Sequence, residues 1–102
     1  MDLERFQQTI RETYGAQDRE RGLEATFSWF VEEVGELSRA LFRQGPEERE
    51  HEFADVLAWL VTLADLADVD MAAAAERYRH GCPKCGASPC TCRRPVPERE
   101  GG

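Results

Sequence analysis

Apolar residues recur along most of the chain at intervals of three and four, the period of an amphipathic α-helix. The first stripe predicts a helix from about Asp2 to Tyr14, ended by Gly15. After the polar stretch AQDRERG, a second helix is under way by Leu23 and continues to about Arg43. No segment alternates apolar and polar positions as a half-buried strand does. The stripe of the first helix consists of Leu3, Phe6, Ile10 and Tyr14.

A break and a restart separate the second helix from a third. Gly45 interrupts the helical pattern, and Pro46 suits the first position of a new helix, which is predicted to continue to about Ala67. Asp70 can cap a fourth helix, MAAAAERYRH, because alanine favours helix strongly, and Gly81 closes it. The chain is therefore predicted to be all-α.

Two acidic pairs border the apolar stripes of the second and third helices: Glu33 with Glu36, and Glu52 with Asp55. Residues three apart share a helix face, since each residue advances by about 100°. An antiparallel hairpin about residue 44 brings Glu36 level with Glu52. The same hairpin brings Glu33 level with Asp55. Four carboxylates are thus predicted to converge between two helices.

Converging carboxylates repel one another, and a hard divalent cation relieves that repulsion. Mg²⁺ takes oxygen ligands, keeps several waters and commonly bridges carboxylates to substrate phosphates. The alternative is that each pair is only a solvated helix face. The symmetry of the two pairs about one turn favours the metal site.

The pattern E-x-x-E at residues 33–36, a spacer of fifteen residues and E-x-x-D at residues 52–55 resembles the signature of the MazG-like, all-α nucleoside triphosphate pyrophosphohydrolases. The segments EEVGELSRAL and EFADVLAWLVTLADLADVD are similar to that family as well. The resemblance implies a four-helix bundle built on an antiparallel hairpin. It also implies Mg²⁺-dependent cleavage between the α- and β-phosphates, giving a nucleoside monophosphate and pyrophosphate in nucleotide-pool house-cleaning. By that likeness the metal ligands are Glu33, Glu36, Glu52 and Asp55.

Further candidates for catalysis and substrate binding lie beside the acids. Glu36 or the neighbouring Glu32 can take the proton of the attacking water, although Glu32 also fits a solvated position. Trp29 and Trp59 share the carboxylate faces, where either can stack on a base or pack in the core or a dimer seam.

Basic side chains are the remaining candidates. Family members commonly carry Lys and Asn after the start of the fourth helix; this chain has AERYRHG there, and Arg77 or Arg79 can substitute as a phosphate contact. His51 is expected to lie on the surface and to point away from Glu52.

All four cysteines lie in the segment CPKCGASPCTC. Cys82 and Cys85 form a C-x-x-C pair like that of a zinc knuckle, and Cys90 and Cys92 complete a tetrahedral thiolate site for Zn²⁺. Four thiolates leave no open coordination position, so the role predicted is structural. A reduced or disulfide-linked tail is the alternative, and His80 is a spare ligand.

Charge and hydropathy limit the kinds of partner and the location expected for this protein. The net charge of −7 disfavours nucleic acid and anionic membranes. The start MDLERFQQTI has no apolar leader, and the longest apolar run, VLAWLVTLADLA, is too short to span a bilayer. A soluble cytoplasmic protein is expected. Because small helical units often complete their core by pairing, a homodimer or a dimer of dimers is expected as well.

The predicted organisation is a helical pyrophosphohydrolase domain over residues 1–81, a four-cysteine zinc-binding segment over 82–92 and a disordered tail over 93–102. The first interpretation is an enzyme acting on nucleoside triphosphates. A second is a non-catalytic helical interaction module that binds a protein through the zinc knuckle. A phosphoribosyl-ATP pyrophosphohydrolase of histidine synthesis shares the fold and reaction type, and only a substrate test separates it.

Overall fold

The computed structural model describes residues 1–92, which contain helices and turns and no strand. This confirms the predicted all-α fold. The tail predicted to be disordered, residues 93–102, lies outside the described residues. The elements are α1 (Leu3–Arg21), α2 (Leu23–Arg43), α3 (Pro46–Leu66), α4 (Met71–Ala75) and a 3₁₀ turn (Glu76–Tyr78).

The predicted end of the first helix at Gly15 is wrong, because α1 continues to Arg21. Gly15 is buried inside the helix, with the Arg19 side chain lying close to where a β-carbon would be. A glycine costs an isolated helix only about 1 kcal/mol, so tertiary packing can override it as a stop signal. The real stop is Gly22, whose φ of 88° is left-handed and whose N–H donates to the Asp18 carbonyl over 2.9 Å.

Helices α2 and α3 form the predicted hairpin, and the connection between them is only Gln44 and Gly45. Two contacts report its register: the rings of Trp29 and Trp59 stack, and the Arg49 side chain donates to the Ala40 carbonyl. Both pairs are centred close to residue 44. The antiparallel arrangement that the sequence predicted is therefore present.

Helix α1 packs against α3 and holds the start of α4. The Arg11 guanidinium pairs with Asp65, with 2.6 Å between Nη2 and Oδ1. The buried Gln7 amide bridges the α3–α4 junction: it donates to the Val69 carbonyl and accepts from the Met71 N–H, each over 2.9 Å. These polar contacts fix α1 across one end of the hairpin.

The fourth helix is shorter than predicted. Asp70 caps it as expected, accepting from the N–H groups of Ala72 and Ala73. The α-helix ends at Ala75, however, and the rest of the predicted span is a 3₁₀ turn followed by irregular chain. A short helix gains few hydrogen bonds of its own and depends on packing to extend further. Here α1 is the long helix that α4 contacts most.

Few large apolar side chains are buried within residues 1–92. The buried apolar residues are Ala40 on α2 and Val61 and Ala64 on α3. Within the same range, no helix combines the length and the apolar content needed to cross a membrane. Large apolar side chains on α2 and α3 stay exposed, including Leu23, Phe27, Val34, Phe53, Leu57 and Leu60.

Candidate functional site

The hairpin brings the carboxylates of Glu36, Glu52 and Asp55 within electrostatic reach of Glu33. Glu33 is half-buried on α2, and burial is the first cause that raises its pKa above the ordinary value. The negative charges of Asp55, Glu52 and Glu36 raise that pKa further. The cluster therefore disfavours the ionised form of Glu33 unless a cation lies nearby.

Glu52 supplies a second sign that a cation belongs in the cluster. Its Oε2 atom is enclosed and has no hydrogen-bond partner in the described part of the chain. An enclosed carboxylate oxygen without a donor costs free energy, because it has lost water and gained nothing in return. The oxygen donors of the four acids fit a hard divalent ion such as Mg²⁺, which would supply the missing partner.

His51 lies beside the cluster, which corrects part of the prediction. The side chain is 71% exposed, as a surface residue should be. It does not point away from the acids, because its Nε2 atom lies 3.2 Å from Oδ2 of Asp55, one helical turn further along α3. Ligand atoms of His51, Glu52 and Asp55 all lie within 4.8 Å of one another.

The two candidate bases, Glu36 and Glu32, are both exposed on α2. Oε2 of Glu36 lies 3.8 Å from Nη1 of Arg39 on the same helix. Glu32 acts on the pKa of Glu33 as well, as the smallest of the charges that raise it. Both carboxylates are thus near the cluster, and the assignment of the base stays a prediction.

Trp29 and Trp59 stack on each other across the hairpin, with 6.4 Å between ring centroids and 16° between planes. The guanidinium carbon of Arg21 lies 4.9 Å from the centroid of the Trp59 ring, a cation–π contact. Arg21 also pairs with Asp18 and donates to the Thr26 hydroxyl over 2.9 Å. The sequence analysis missed Arg21 because it treated AQDRERG as a connection.

A cavity of about 350 Å³ adjoins the carboxylates between α1 and α3. This volume lies within the range of small-molecule sites, roughly 300–1,000 Å³. Asp55 belongs to the cavity wall and to the acidic cluster, so a molecule bound here can reach both. Other side chains of the wall are Tyr14, Gln17, Arg21, Trp59 and Thr62.

The predicted phosphate contacts after α4 lie elsewhere in the single chain. The guanidinium carbon of Arg77 is 5.9 Å from the ring centroid of Tyr78. Arg79 pairs with Glu76 in the same turn. Within residues 1–92, neither arginine forms an ion pair with the four acids. Arg77 as a substrate contact therefore stays a prediction.

The four cysteines form a separate cluster in which all Sγ atoms lie within 4.8 Å of one another. The Cys82–Cys92 and Cys85–Cys90 sulfur atoms are 3.8 and 3.9 Å apart. Disulfide sulfurs lie about 2.05 Å apart, whereas four thiolates at about 2.3 Å from one tetrahedral ion lie about 3.8 Å from each other. The four cysteines are free and spaced to hold a metal ion.

The chain around the cysteines is shaped to place the sulfur atoms. Gly86, with φ of 74°, allows a tight turn in which its N–H donates to the Cys82 carbonyl over 2.7 Å. Hydrogen bonds from Thr91 lower the pKa of Cys85 to about 5. The neighbouring thiols, Cys90 first, raise the pKa of Cys92 to about 12. Four thiolates can coexist here only with a cation among them.

Comparison with protein families matches residues 21–84 to the MazG nucleotide pyrophosphohydrolase domain. The match includes the four carboxylates and both tryptophans and ends inside the cysteine segment. A comparison with curated proteins finds no match. Since the matched residues make up more than half of the chain and form the hairpin with its acids, the chain belongs to the MazG nucleotide pyrophosphohydrolase family.

Proposed function

We propose that this protein is a Mg²⁺-dependent nucleoside triphosphate pyrophosphohydrolase that cleaves between the α- and β-phosphates and releases a nucleoside monophosphate and pyrophosphate. The observation that carries the proposal is the cluster of Glu33, Glu36, Glu52 and Asp55, with an enclosed oxygen of Glu52 that lacks a partner. Family membership supports the reaction class. Removal of unwanted nucleotides is the role that this likeness suggests.

The four acids would hold Mg²⁺ at the edge of the hairpin. When bound, the ion neutralises phosphate charge and favours loss of a proton by the attacking water. The chain carries a net charge of −7, so its acids would otherwise repel a triphosphate. Glu33 and Glu52 are half-buried, so packing would hold these two ligands in position. Glu36 is exposed and would stay accessible to solvent and substrate.

Glu36 or Glu32 would accept the proton of the attacking water. Glu36 shares a helix face with Glu33 and would therefore lie beside the ion that holds the phosphates. Glu32 precedes Glu33 by one residue, about 100° round the helix. It is also exposed. Either carboxylate can pass the proton on to solvent.

The nucleoside would occupy the cavity beside Asp55, with its base against an aromatic ring. A base inserted between two rings needs them about 7 Å apart, twice the normal contact distance of roughly 3.5 Å. The Trp29–Trp59 stack, at 6.4 Å, is too close for insertion. The base would therefore contact an outer face: that of Trp29, which is half-exposed, or that of Trp59 in the cavity, from which the base would displace the Arg21 guanidinium.

A second copy of the chain would cover the exposed apolar face of α2 and α3. An apolar groove of about 600 Å³ lies on this face, lined by Leu23, Phe27, Leu60 and Leu63. Monomeric proteins seldom leave so continuous an apolar surface in water. A homodimer, or a dimer of such dimers, buries it by symmetry.

Zn²⁺ is the ion we assign to Cys82, Cys85, Cys90 and Cys92. Four thiolates in tetrahedral spacing favour Zn²⁺ and close its coordination sphere, so the ion would be structural. The segment has few buried side chains, and metal binding would supply most of its folding free energy.

A non-catalytic helical module that binds a protein through the cysteine segment is the second candidate function. The position of Arg77 beside Tyr78, with no ion pair to the acids in the described chain, favours it. The intact acidic cluster favours the enzyme.

Pyrophosphate release tests the enzyme directly. With Mg²⁺ and a panel of standard and modified nucleoside triphosphates plus phosphoribosyl-ATP, the wild type should turn over at least one substrate. Glu36→Gln should lower kcat/KM by about 100-fold or more, because it removes a candidate metal ligand and base. Glu50→Gln, an exposed change on α3, is the matched control and should stay within about twofold. Equal rates in the wild type and Glu36→Gln would contradict the proposal, and silence from folded, zinc-loaded protein would favour the interaction module.

The acidic cluster should also be visible in the pH dependence of stability. The pKa of Glu33 in the folded chain is raised above its ordinary value of 4.5, so the folded state holds that proton more tightly than the unfolded state. Metal-free stability is then lost as pH rises from about 4.5 through the raised pKa. Glu33→Gln should raise the Tm of metal-free protein at about pH 7.5.

Glu33→Gln should also cancel the increase in Tm, by a few degrees, that Mg²⁺ gives the wild type. Glu32→Gln should keep that rise; a full Mg²⁺ effect in Glu33→Gln would contradict the assigned ligand.

Metal content tests the cysteine site. Purified protein should contain one Zn²⁺ per chain by elemental analysis, and Cys85→Ser should lose most of it because three thiolates bind more weakly than four. Replacement by Co²⁺ should give thiolate charge-transfer absorption. Ser88→Ala, in the same segment, is the control and should keep the metal. Protein with no metal and only two titratable thiols would indicate a disulfide instead.

Solution mass tests the pairing of chains. Sedimentation or light scattering should give a dimer or tetramer for the wild type. Leu60→Glu should give monomers, because it places a charge in the apolar groove. Tyr78→Glu, an equally large change outside the groove, should keep the wild-type mass. A monomeric wild type with Leu60 exposed would rule out this interface.

A further inference from the structure

We propose that His51 is a nitrogen ligand of the divalent metal held by Glu52 and Asp55. The inference rests on the metal site of the proposed function and goes beyond its four carboxylate ligands. It changes the chemistry of the site from an all-oxygen donor set to a mixed set of oxygen and imidazole nitrogen. A mixed set alters which ions the site prefers.

The spacing of the donor atoms matches neighbouring ligands on one ion. Nε2 of His51 lies 3.2 Å from Oδ2 of Asp55. Two ligands with bonds of about 2.1 Å at a right angle lie about 3.0 Å apart. Glu52 contributes an atom within 4.8 Å of both. A small side-chain rotation would bring that atom within the distance of about 4.2 Å that separates opposite ligands of one ion.

The helix presents these donors together. His51 and Asp55 are separated by four residues, so they lie one above the other on α3. Metal-binding helices with the pattern H-E-x-x-H use the same spacing to hold one ion with two side chains. Here the sequence is H-E-x-x-D, with a carboxylate in the second position. The enclosed oxygen of Glu52 has no hydrogen-bond donor within residues 1–92, so a cation beside it would supply the missing partner.

An orienting role is the competing explanation, in which the imidazole only donates a hydrogen bond to Asp55. The 71% exposure of His51 leaves its ring free to turn toward an ion without disturbing the core. The two roles differ in their effect on ion choice. Imidazole strengthens binding of Mn²⁺ and later transition ions more than it strengthens binding of Mg²⁺.

Pulsed electron paramagnetic resonance of bound Mn²⁺ tests the inference directly. The full chain is first loaded with one molar equivalent of Zn²⁺, which the four thiolates bind first, and free Zn²⁺ is removed. It is then titrated with Mn²⁺, a hard ion that does not compete for thiolates. A directly bound imidazole gives a ¹⁴N coupling. The chain has two histidines, His51 and His80, so two variants assign any signal.

The wild type and His80→Gln should show the nitrogen coupling, and His51→Gln should lose it. His51→Gln should also weaken Mn²⁺ binding about tenfold while Mg²⁺ binding stays within about twofold. Bound Mn²⁺ without nitrogen coupling in the wild type would overturn the inference and leave the carboxylate site standing. A coupling that survives in His51→Gln would overturn it as well. If Mn²⁺ fails to bind, or binds equally well to Glu52→Gln, the carboxylate site itself fails, and the proposed function fails with it.

Discussion

The antiparallel packing of α2 on α3 is the constraint on which the rest of the molecule depends. A connection of two residues, Gln44 and Gly45, fixes which turn of one helix faces which turn of the other. The fully buried Ala40 lets the helices approach closely near that turn. The turn sets the register of α2 against α3. It therefore determines the relative positions of the acids, the stacked tryptophans and the cavity beside them.

The chain keeps two metal chemistries apart. The hairpin presents carboxylate oxygens that suit hard ions, and the segment after α4 presents only thiols that suit Zn²⁺. The acids are on rigid helices and include half-buried side chains, whereas the thiols are on a short loop that backbone hydrogen bonds shape. If both sites bind metal as we propose, this difference in donor type would direct different ions to the two places.

Regular features of the sequence predicted the hairpin and the approach of Glu36, Glu52 and Asp55 to Glu33, because helical period and a Gly-Pro break are local and strong signals. Gly15 misled the prediction, since the packing that carries α1 through it is not local. Arg21 was missed because its stacking on Trp59 joins residues distant in the chain. His51 was misjudged because its direction was compared with Glu52 and not with Asp55, one turn further on.

Gly22 alone separates α1 from α2, as the two-residue turn separates α2 from α3. An added residue within either long helix would rotate everything beyond it by about 100° and carry the acids off the shared face. Insertions or deletions inside α2 or α3 are therefore expected to separate the acids. By the same geometry, the chain after Leu66, where the junction, the 3₁₀ turn and the cysteine segment lie, can change in length without rotating the acids. New specificities within the hairpin must come from exchanging side chains.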